Sequence, residues 1–361
     1  MTRASNSTIP GVQKILALRP NAVGDFVFAL PALHALRFAY PAAEIWYVGK
    51  QWHADFLLGR PGPIDRVVVA PPIPGVGAHP EAKVDQLAVD AFVVAMRSEG
   101  FDLAVQMFGG GRYSNPFIKR LGARVTVGAR TPDAEPLDRW IAYGDFNNRR
   151  LEMLEIAALA GATMWRTGRE LQVTQGDRVQ AATAFPVPPS ARVVVVHPGS
   201  SDPRRRWPVE RFAAVADALA QAGAVIAVNG TRDESALVQG VIGHMRNAAI
   251  DLTDALSLSG LCGVIDRAAM VLSNDSGPLH LALAMGTPCV GVYWLTNLME
   301  ACPLRQNMHR AAMSTRIHCP VCGQENRKSR CEHDVCFVDD VPVEHVREMA
   351  LELFESTMLR T

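Results

Sequence analysis

Val193 to Val196 is an unbroken run of valines. A strand with one face in water alternates apolar and polar residues. A continuous apolar run instead fits a central strand of a parallel sheet, covered by helices on both faces. Parallel strands need long crossovers between them, so such a run commits its half of the chain to alternating strands and helices. The surroundings read accordingly. A helix is predicted over Val209–Ala222, a strand over Val225–Val228, a strand at Met270–Leu272 leading to a helix near Leu279, and a strand over Cys289–Val292. The first half repeats the scheme, with strands at Ile15–Leu18, Ile45–Val48, Val67–Ala70 and Leu103–Met107. Asp25–Phe38 reads as a helix, because Phe26, Ala29, Leu30, Leu33 and Leu36 recur at helical spacing, and Asp85–Ser98 as another.

The chain has 361 residues, and at roughly 150 residues per domain that length suggests two domains. The expected fold is α/β: two Rossmann-like domains facing a cleft, one over residues 1–175 and the other over 186–361. The stretch Gly161–Ser190, with Pro186-Val187-Pro188-Pro189, reads as the linker. The 36 basic side chains balance the 36 acidic ones, which excludes a strongly basic nucleic-acid binder and an acidic tail. At 48% apolar, the sequence is not that of a disordered chain. No apolar stretch reaches the ~18 residues of a membrane span. Met1–Lys14 is polar and lacks the apolar segment of a signal peptide, so the expectation is a cytosolic protein with reduced thiols.

Open α/β sheets bind ligands at the carboxyl ends of their strands, so four loops matter. The first, Arg19–Asp25, has one glycine where a dinucleotide fingerprint needs three. Gly24 suits a tight turn or close ligand approach. Asp25 reads either as an N-cap or as a general base, kept ionised by the helix N-terminus. The second loop, His197–Pro208, places Arg204, Arg205 and Arg206 before a helix, with Pro208 fitting that helix's first position. Cations oppose the helix dipole there. A bound anion would remove the conflict, and arginine's fork suits phosphate; a solvated charge run is the other reading. In the third loop, Thr231 and Glu234 match a capping box, and Glu234 alternatively holds ribose hydroxyls. The fourth, Ser273–His280, offers Gly277 and Pro278 at a helix start, an anion site in form, or else an ordinary Asp/Ser cap. Two anion sites at strand ends of one domain argue for a diphosphate.

These blocks, Ile15–Pro31 (ILALRPNAVGDFVFALP), Phe101–Gly128, His197–Pro208 and Asn274–Pro288 (NDSGPLHLALAMGTP), resemble glycosyltransferase family 9, the ADP-heptose:lipopolysaccharide heptosyltransferases. The resemblance implies a GT-B fold and an inverting sugar transfer without a nucleotide-bound metal. The donor, a nucleotide sugar, would occupy the C-terminal domain, and a lipid-linked or oligosaccharide acceptor the N-terminal one. Asp25 matches the family's catalytic base. Ser200, Arg205, Arg206, Glu234, Asp275, Ser276, Gly277 and His280 fall in the donor-binding set. Gly24, Gly110 and Arg112 fall in acceptor-contacting positions. Where the family has a lysine before Trp-Pro, this chain has arginine, Arg205 being the closer match and Arg206 the reserve. The location implied is cytoplasmic, with peripheral contact at the cytoplasmic face of the inner membrane left open. A nucleotide-sugar epimerase and a non-catalytic sugar-nucleotide-binding relative remain the alternatives.

Of the seven cysteines, Cys262, Cys289 and Cys302 are scattered and read as small buried apolar residues. Cys319, Cys322, Cys331 and Cys336 crowd into residues 318–336, with His318 and His333 nearby. Four thiolates would hold a structural zinc; reduced thiols packing a loop, or a redox-sensitive pair, is the other reading. No cofactor is expected for catalysis itself.

Overall fold

The structure is a computed structural model that describes residues 7–164, 166, 168–305, 307–327 and 329–357. Met1–Asn6, part of the polar N-terminal segment, and Trp165 and Thr167, within the expected linker, lie outside the described residues. The chain divides after Gln172 into two compact units.

In chain order the first unit comprises β1 (Lys14–Leu18), α1 (Val23–Ala39), β2 (Glu44–Gly49), α2 (Gln51–Leu57), β3 (Arg66–Val69), the short pair β4 (Ile73–Pro74) and β5 (Gly77–Ala78), α3 (Gln86–Ser98), β6 (Leu103–Gln106), α4 (Ser114–Arg120), β7 (Val125–Arg130), β8 (Arg139–Ala142) and α5 (Arg149–Leu159). Its six-stranded sheet runs β3-β2-β1-β6-β7-β8 with every pairing parallel. Strand order reverses beside β1, so the carboxyl ends of β1 and β6 flank the crevice where such sheets bind ligands.

The second unit comprises α6 (Gln175–Ala184), β9 (Val193–His197), α7 (Val209–Gln221), β10 (Val225–Gly230), α8 (Ser235–His244), β11 (Ala249–Thr253), α9 (Leu258–Arg267), β12 (Met270–Asn274), α10 (Gly277–Met285), β13 (Cys289–Trp294), α11 (Leu295–Ala301), β14 (His309–Ser314) and α12 (Val343–Ser356). Its sheet, β11-β10-β9-β12-β13-β14, is again all parallel and has the same winding. The switch point lies between β9 and β12.

Burial explains the strand pattern. The four valines of β9 are fully buried, and β12 and β13 are buried throughout. Each such side chain contributes roughly 1.5–3 kcal/mol over leaving it exposed. The outer strands β3, β8 and β11 are only half covered. Helix α1 is buried from Phe26 to Leu36 save at His34, more than one stripe's worth. It lies between α5 and the ring of Tyr47 on β2, and a helix covered on opposite sides is apolar all round.

The expected linker is not a free connection. Within it, α6 is closed by a Thr174–Asp177 capping box and packs on α9, where Arg178 pairs with Asp266 at 3.0 Å. No helix among the described residues is long and apolar enough to cross a membrane.

Candidate active site

At the first unit's switch point the chain leaves β1 through Arg19 and enters α1. Ala22 occupies the N-cap, not Asp25; Gly24 and Asp25 lie inside the first helical turn. The Asp25 carboxylate instead meets Arg19, whose Nη2 donates to Oδ1 at 2.6 Å and whose Nε donates to the Asp25 carbonyl at 3.1 Å. Arg19 is 5% exposed and also donates to the Met107 carbonyl at the end of β6. Its own carbonyl accepts from the Tyr47 hydroxyl at 2.6 Å. The guanidinium is thus fixed by backbone on either side of the crevice, and a single charge-assisted bond holds the carboxylate. The Asp25 side chain stays one-third exposed.

Arg19 was not among the sequence candidates. A lone cation directly after a buried strand must find an acceptor, and that was the available signal. Beside Asp25 a cavity is lined by Asn21, Gly109, Tyr143, Arg149 and Glu152 among others. Asn21 Oδ1 and Glu152 Oε1 are buried there without a hydrogen-bond partner among the described residues, while Arg149 holds the other Glu152 oxygen at 2.8 Å. Burial raises the Glu152 carboxyl above its ordinary value against the pull of Arg149. Gly110 accepts from Thr131 at 2.7 Å, and Arg112 is exposed, 3.9 Å from Asp133.

In the second unit, β9 delivers His197 and the loop beyond it to the switch point. Pro203–Arg205 form a single 3-10 turn capped by Asp202, and Pro208 is the N-cap of α7 rather than its first residue. One side chain clamps this loop to β12 at two points: Asn274 Nδ2 donates to the Pro198 carbonyl at 2.7 Å, and its Oδ1 accepts from the Trp207 amide at 3.0 Å. Asp275 then lies 6% exposed between His280 Nε2, at 3.0 Å, and Arg205 Nη1, at 3.2 Å. The Asp/Ser cap reading fails here. Ser276 is the α10 N-cap but makes no side-chain cap bond, and its hydroxyl meets Ser273 at 3.0 Å. Gly277 opens α10, and Pro278 sits in its first turn.

Arg204 folds back onto Asp202 at 2.7 Å. Arg206 Nε donates to the Ser200 carbonyl at 2.8 Å, and the Ser200 hydroxyl is buried without a partner among the described residues. Orphaned polar groups of this sort are costly unless a ligand completes them.

Glu234 satisfies the capping box, with one oxygen accepting from the Thr231 amide at 2.9 Å and its hydroxyl at 3.1 Å. The other oxygen faces His197 Nε2 at 3.9 Å and lies over Gly199, where a Cβ would come within 1.9 Å of it. Only glycine permits that approach. Burial lowers the His197 pKa, opposed by Glu234 and by the hydrogen bond to the Asn229 carbonyl.

The cysteine reading needs one change. Cys319, Cys322, Cys331 and His333 place their ligand atoms within 4.8 Å of one another, and Cys336 is outside the group. Cys336 Sγ donates to the Arg206 carbonyl at 3.1 Å, and burial raises its thiol pKa. Its sulfur is turned to that carbonyl and stands apart from the other four ligand atoms.

Comparison with known proteins places this chain in a family. The model of glycosyltransferase family 9 (heptosyltransferase) matches residues 147–331, just over half of the chain. The lipopolysaccharide core heptosyltransferase OpsX of Haemophilus influenzae is 24% identical over 306 residues, 81% of this chain and 82% of that protein. A family 9 glycosyl transferase from Veillonella parvula superposes with a TM-score of 0.79 at 20% identity, covering 98% of this chain and all of that one. The E. coli heptosyltransferase WaaC with ADP superposes with a TM-score of 0.67 at 19% identity, covering 94% and 100%. The chain belongs to glycosyltransferase family 9 and is a glycosyltransferase built on the GT-B pairing of two Rossmann-like units.

Proposed function

We propose that the protein transfers heptose from ADP-heptose to a lipopolysaccharide core acceptor, with inversion and without a metal on the nucleotide. The second unit is the donor-binding domain and the first the acceptor-binding domain. The observation that carries the reading is the switch point of the second unit. There Asp275 holds Arg205 in place, the Ser200 hydroxyl awaits a partner, and the α10 N-terminus offers free amides to an anion. The similarity to OpsX and to WaaC with ADP supports this choice of sugar and nucleotide.

Asp25 takes the proton from an acceptor hydroxyl. The oxygen attacks the anomeric carbon opposite the diphosphate. One C–O bond forms as the sugar–phosphate C–O bond breaks, and ADP leaves with the electron pair. Arg205, Arg206 and the helix terminus neutralise the charge that develops on the diphosphate. Glu234 binds ribose through the oxygen its capping box leaves unused, and Ser276, Gly277 and His280 complete the donor set. Gly24, Gly110 and Arg112 contact the acceptor. The enzyme works in the cytoplasm, and a lipid-linked acceptor brings it to the inner face of the membrane. The cysteine-rich segment carries a structural zinc with no part in the chemistry.

The test is calorimetric binding of ADP, UDP, GDP and CMP, followed by turnover of ADP-heptose with a heptose-acceptor oligosaccharide. ADP selectivity and acceptor-dependent ADP release are expected. Selective binding of another nucleotide overturns the donor assignment.

A further inference from the structure

Between β14 and α12 the chain runs from 315 to 342 with no helix or strand among its described residues. Irregular segments of this length inside a compact domain are uncommon, and small loop-rich regions need a staple. This one lies against the donor loop. The Phe337 amide donates to the Arg204 carbonyl at 2.8 Å, and Cys336 Sγ donates to the Arg206 carbonyl. Asn326 accepts from the Cys331 amide at 3.1 Å, and its carbonyl lies 3.5 Å from Arg204 Nη1.

Resting on the donor reading above, we infer that Cys319, Cys322, Cys331 and His333 bind one zinc ion, and that this site braces the arginine loop against which the donor diphosphate binds. The donor set is three sulfurs and one imidazole, a usual structural-zinc set. Bond lengths of about 2.3 Å to sulfur and 2.1 Å to nitrogen give tetrahedral edges of roughly 3.5–3.8 Å, so a small contraction of the present group closes it. Two further features point at a metal. His333 Nδ1 is buried with no hydrogen-bond partner among the described residues. The Val321 amide points at Cys319 Sγ at 3.4 Å while Gly323, at φ +75°, turns the chain back so that its amide meets the Cys319 carbonyl at 2.9 Å. Amides aimed at sulfur stabilise the thiolate form a metal requires. Cys336 belongs to the brace and not to the metal. It touches the loop, while the ligands fix the segment from which it projects.

The experiment is metal analysis of the full chain by mass spectrometry, paired with calorimetric ADP binding. One zinc per chain is expected in the wild type, lost in Cys322→Ser and in His333→Ala but kept in Cys336→Ala. Stripping zinc with a chelator should weaken ADP binding about tenfold, restored by zinc, because the loop loses its preorganisation. Cys336→Ala should weaken ADP binding roughly threefold with zinc still bound. Wild-type chain without zinc, or with iron in its place, overturns the zinc assignment. Loss of zinc in Cys336→Ala but not in His333→Ala overturns the ligand set. Unchanged ADP affinity in Cys336→Ala, or in a stripped chain whose circular dichroism is still native, overturns the brace. If stripping unfolds the chain, Cys336→Ala alone decides the brace. Failure of the zinc-loaded wild type to bind ADP counts against the donor reading instead, since zinc stoichiometry is measured without nucleotide.

Discussion

Both units place an arginine–aspartate pair at the switch point of the same sheet winding, but with the parts exchanged. In the first unit Arg19 is buried, tied to backbone at both ends, and Asp25 is the more open partner. In the second unit Asp275 is buried between His280 and Arg205, and Arg205 is the more open one. On the proposed reading, the buried member holds and the open member meets the substrate. One crevice therefore presents an anion suited to taking a proton, the other a cation suited to a diphosphate.

The sharpest test of this exchange is removal of the open carboxylate. Asp25→Asn keeps the shape and the Arg19 contact but cannot accept a proton. Turnover should fall ~10²–10⁴-fold, while ADP binding, assigned by the proposed function to the other unit, stays within error. Full transfer activity in a folded Asp25→Asn protein would break the assignment outright.

The buried histidines of the two units differ in a related way. His53 in α2 is fully buried, its Nδ1 accepts from the Lys50 amide at 2.9 Å, and its ring stacks on Trp52. Burial lowers its pKa to about 3 from 6.5. His197 is also lowered by burial, but Glu234 pulls it back. For a depressed histidine the stability is present above the unfolded value and is lost as pH falls, because only the unfolded chain takes the proton. Between pH 6.5 and about pH 4 His53 should cost the first unit about 3 kcal/mol, at 1.36 kcal/mol per unit. Chemical denaturation followed over that range should show the loss. His53→Phe, which keeps a ring in the aromatic cluster, should flatten the slope; an unchanged slope would assign the acid sensitivity to other groups.

The buried carboxylate of the second unit comes next. Asp275→Asn leaves Arg205 and His280 without their anion, and ADP affinity should drop about ten- to a hundredfold, in line with the loss of a charge-assisted bond. Calorimetry decides it. Tighter ADP binding would mean that Asp275 acts mainly by repelling the diphosphate, and the comparison between the units would collapse.

How much of this the sequence reveals follows from burial. The central strands β1, β9, β12 and β13 are legible because covering both faces makes them continuous apolar runs. The outer strands are harder to read: β8 alternates half-covered and exposed positions but puts Trp140 on the exposed side, and β11 mixes its positions without a period. Asp25, Arg205, Glu234 and Asp275 stand out because each falls in a loop after a strand or at the helix start beyond it. Arg19 and Asn274 do not, because their roles depend on carbonyls far along the chain, Met107 for one and Pro198 for the other. The metal cluster shows a third limit. Counting cysteines selects Cys336, whereas the fold turns its thiol toward Arg206 and brings His333 in.

The finest test of the exchange swaps each arginine for lysine, which keeps the charge and removes the fork. Arg19 uses Nε, Nη1 and Nη2 on separate acceptors, and a single ammonium cannot replace them. Arg19→Lys should therefore misplace Asp25 and lower kcat about tenfold, with ADP affinity unchanged. Arg205 donates at 3.2 Å to Asp275 and to the Ser201 hydroxyl, and otherwise offers charge. Arg205→Lys should weaken ADP binding only about threefold, consistent with the lysine that the family places before Trp-Pro. Equal effects of the two substitutions on kcat would show that both arginines face substrate, and that neither unit uses its cation merely to hold its carboxylate.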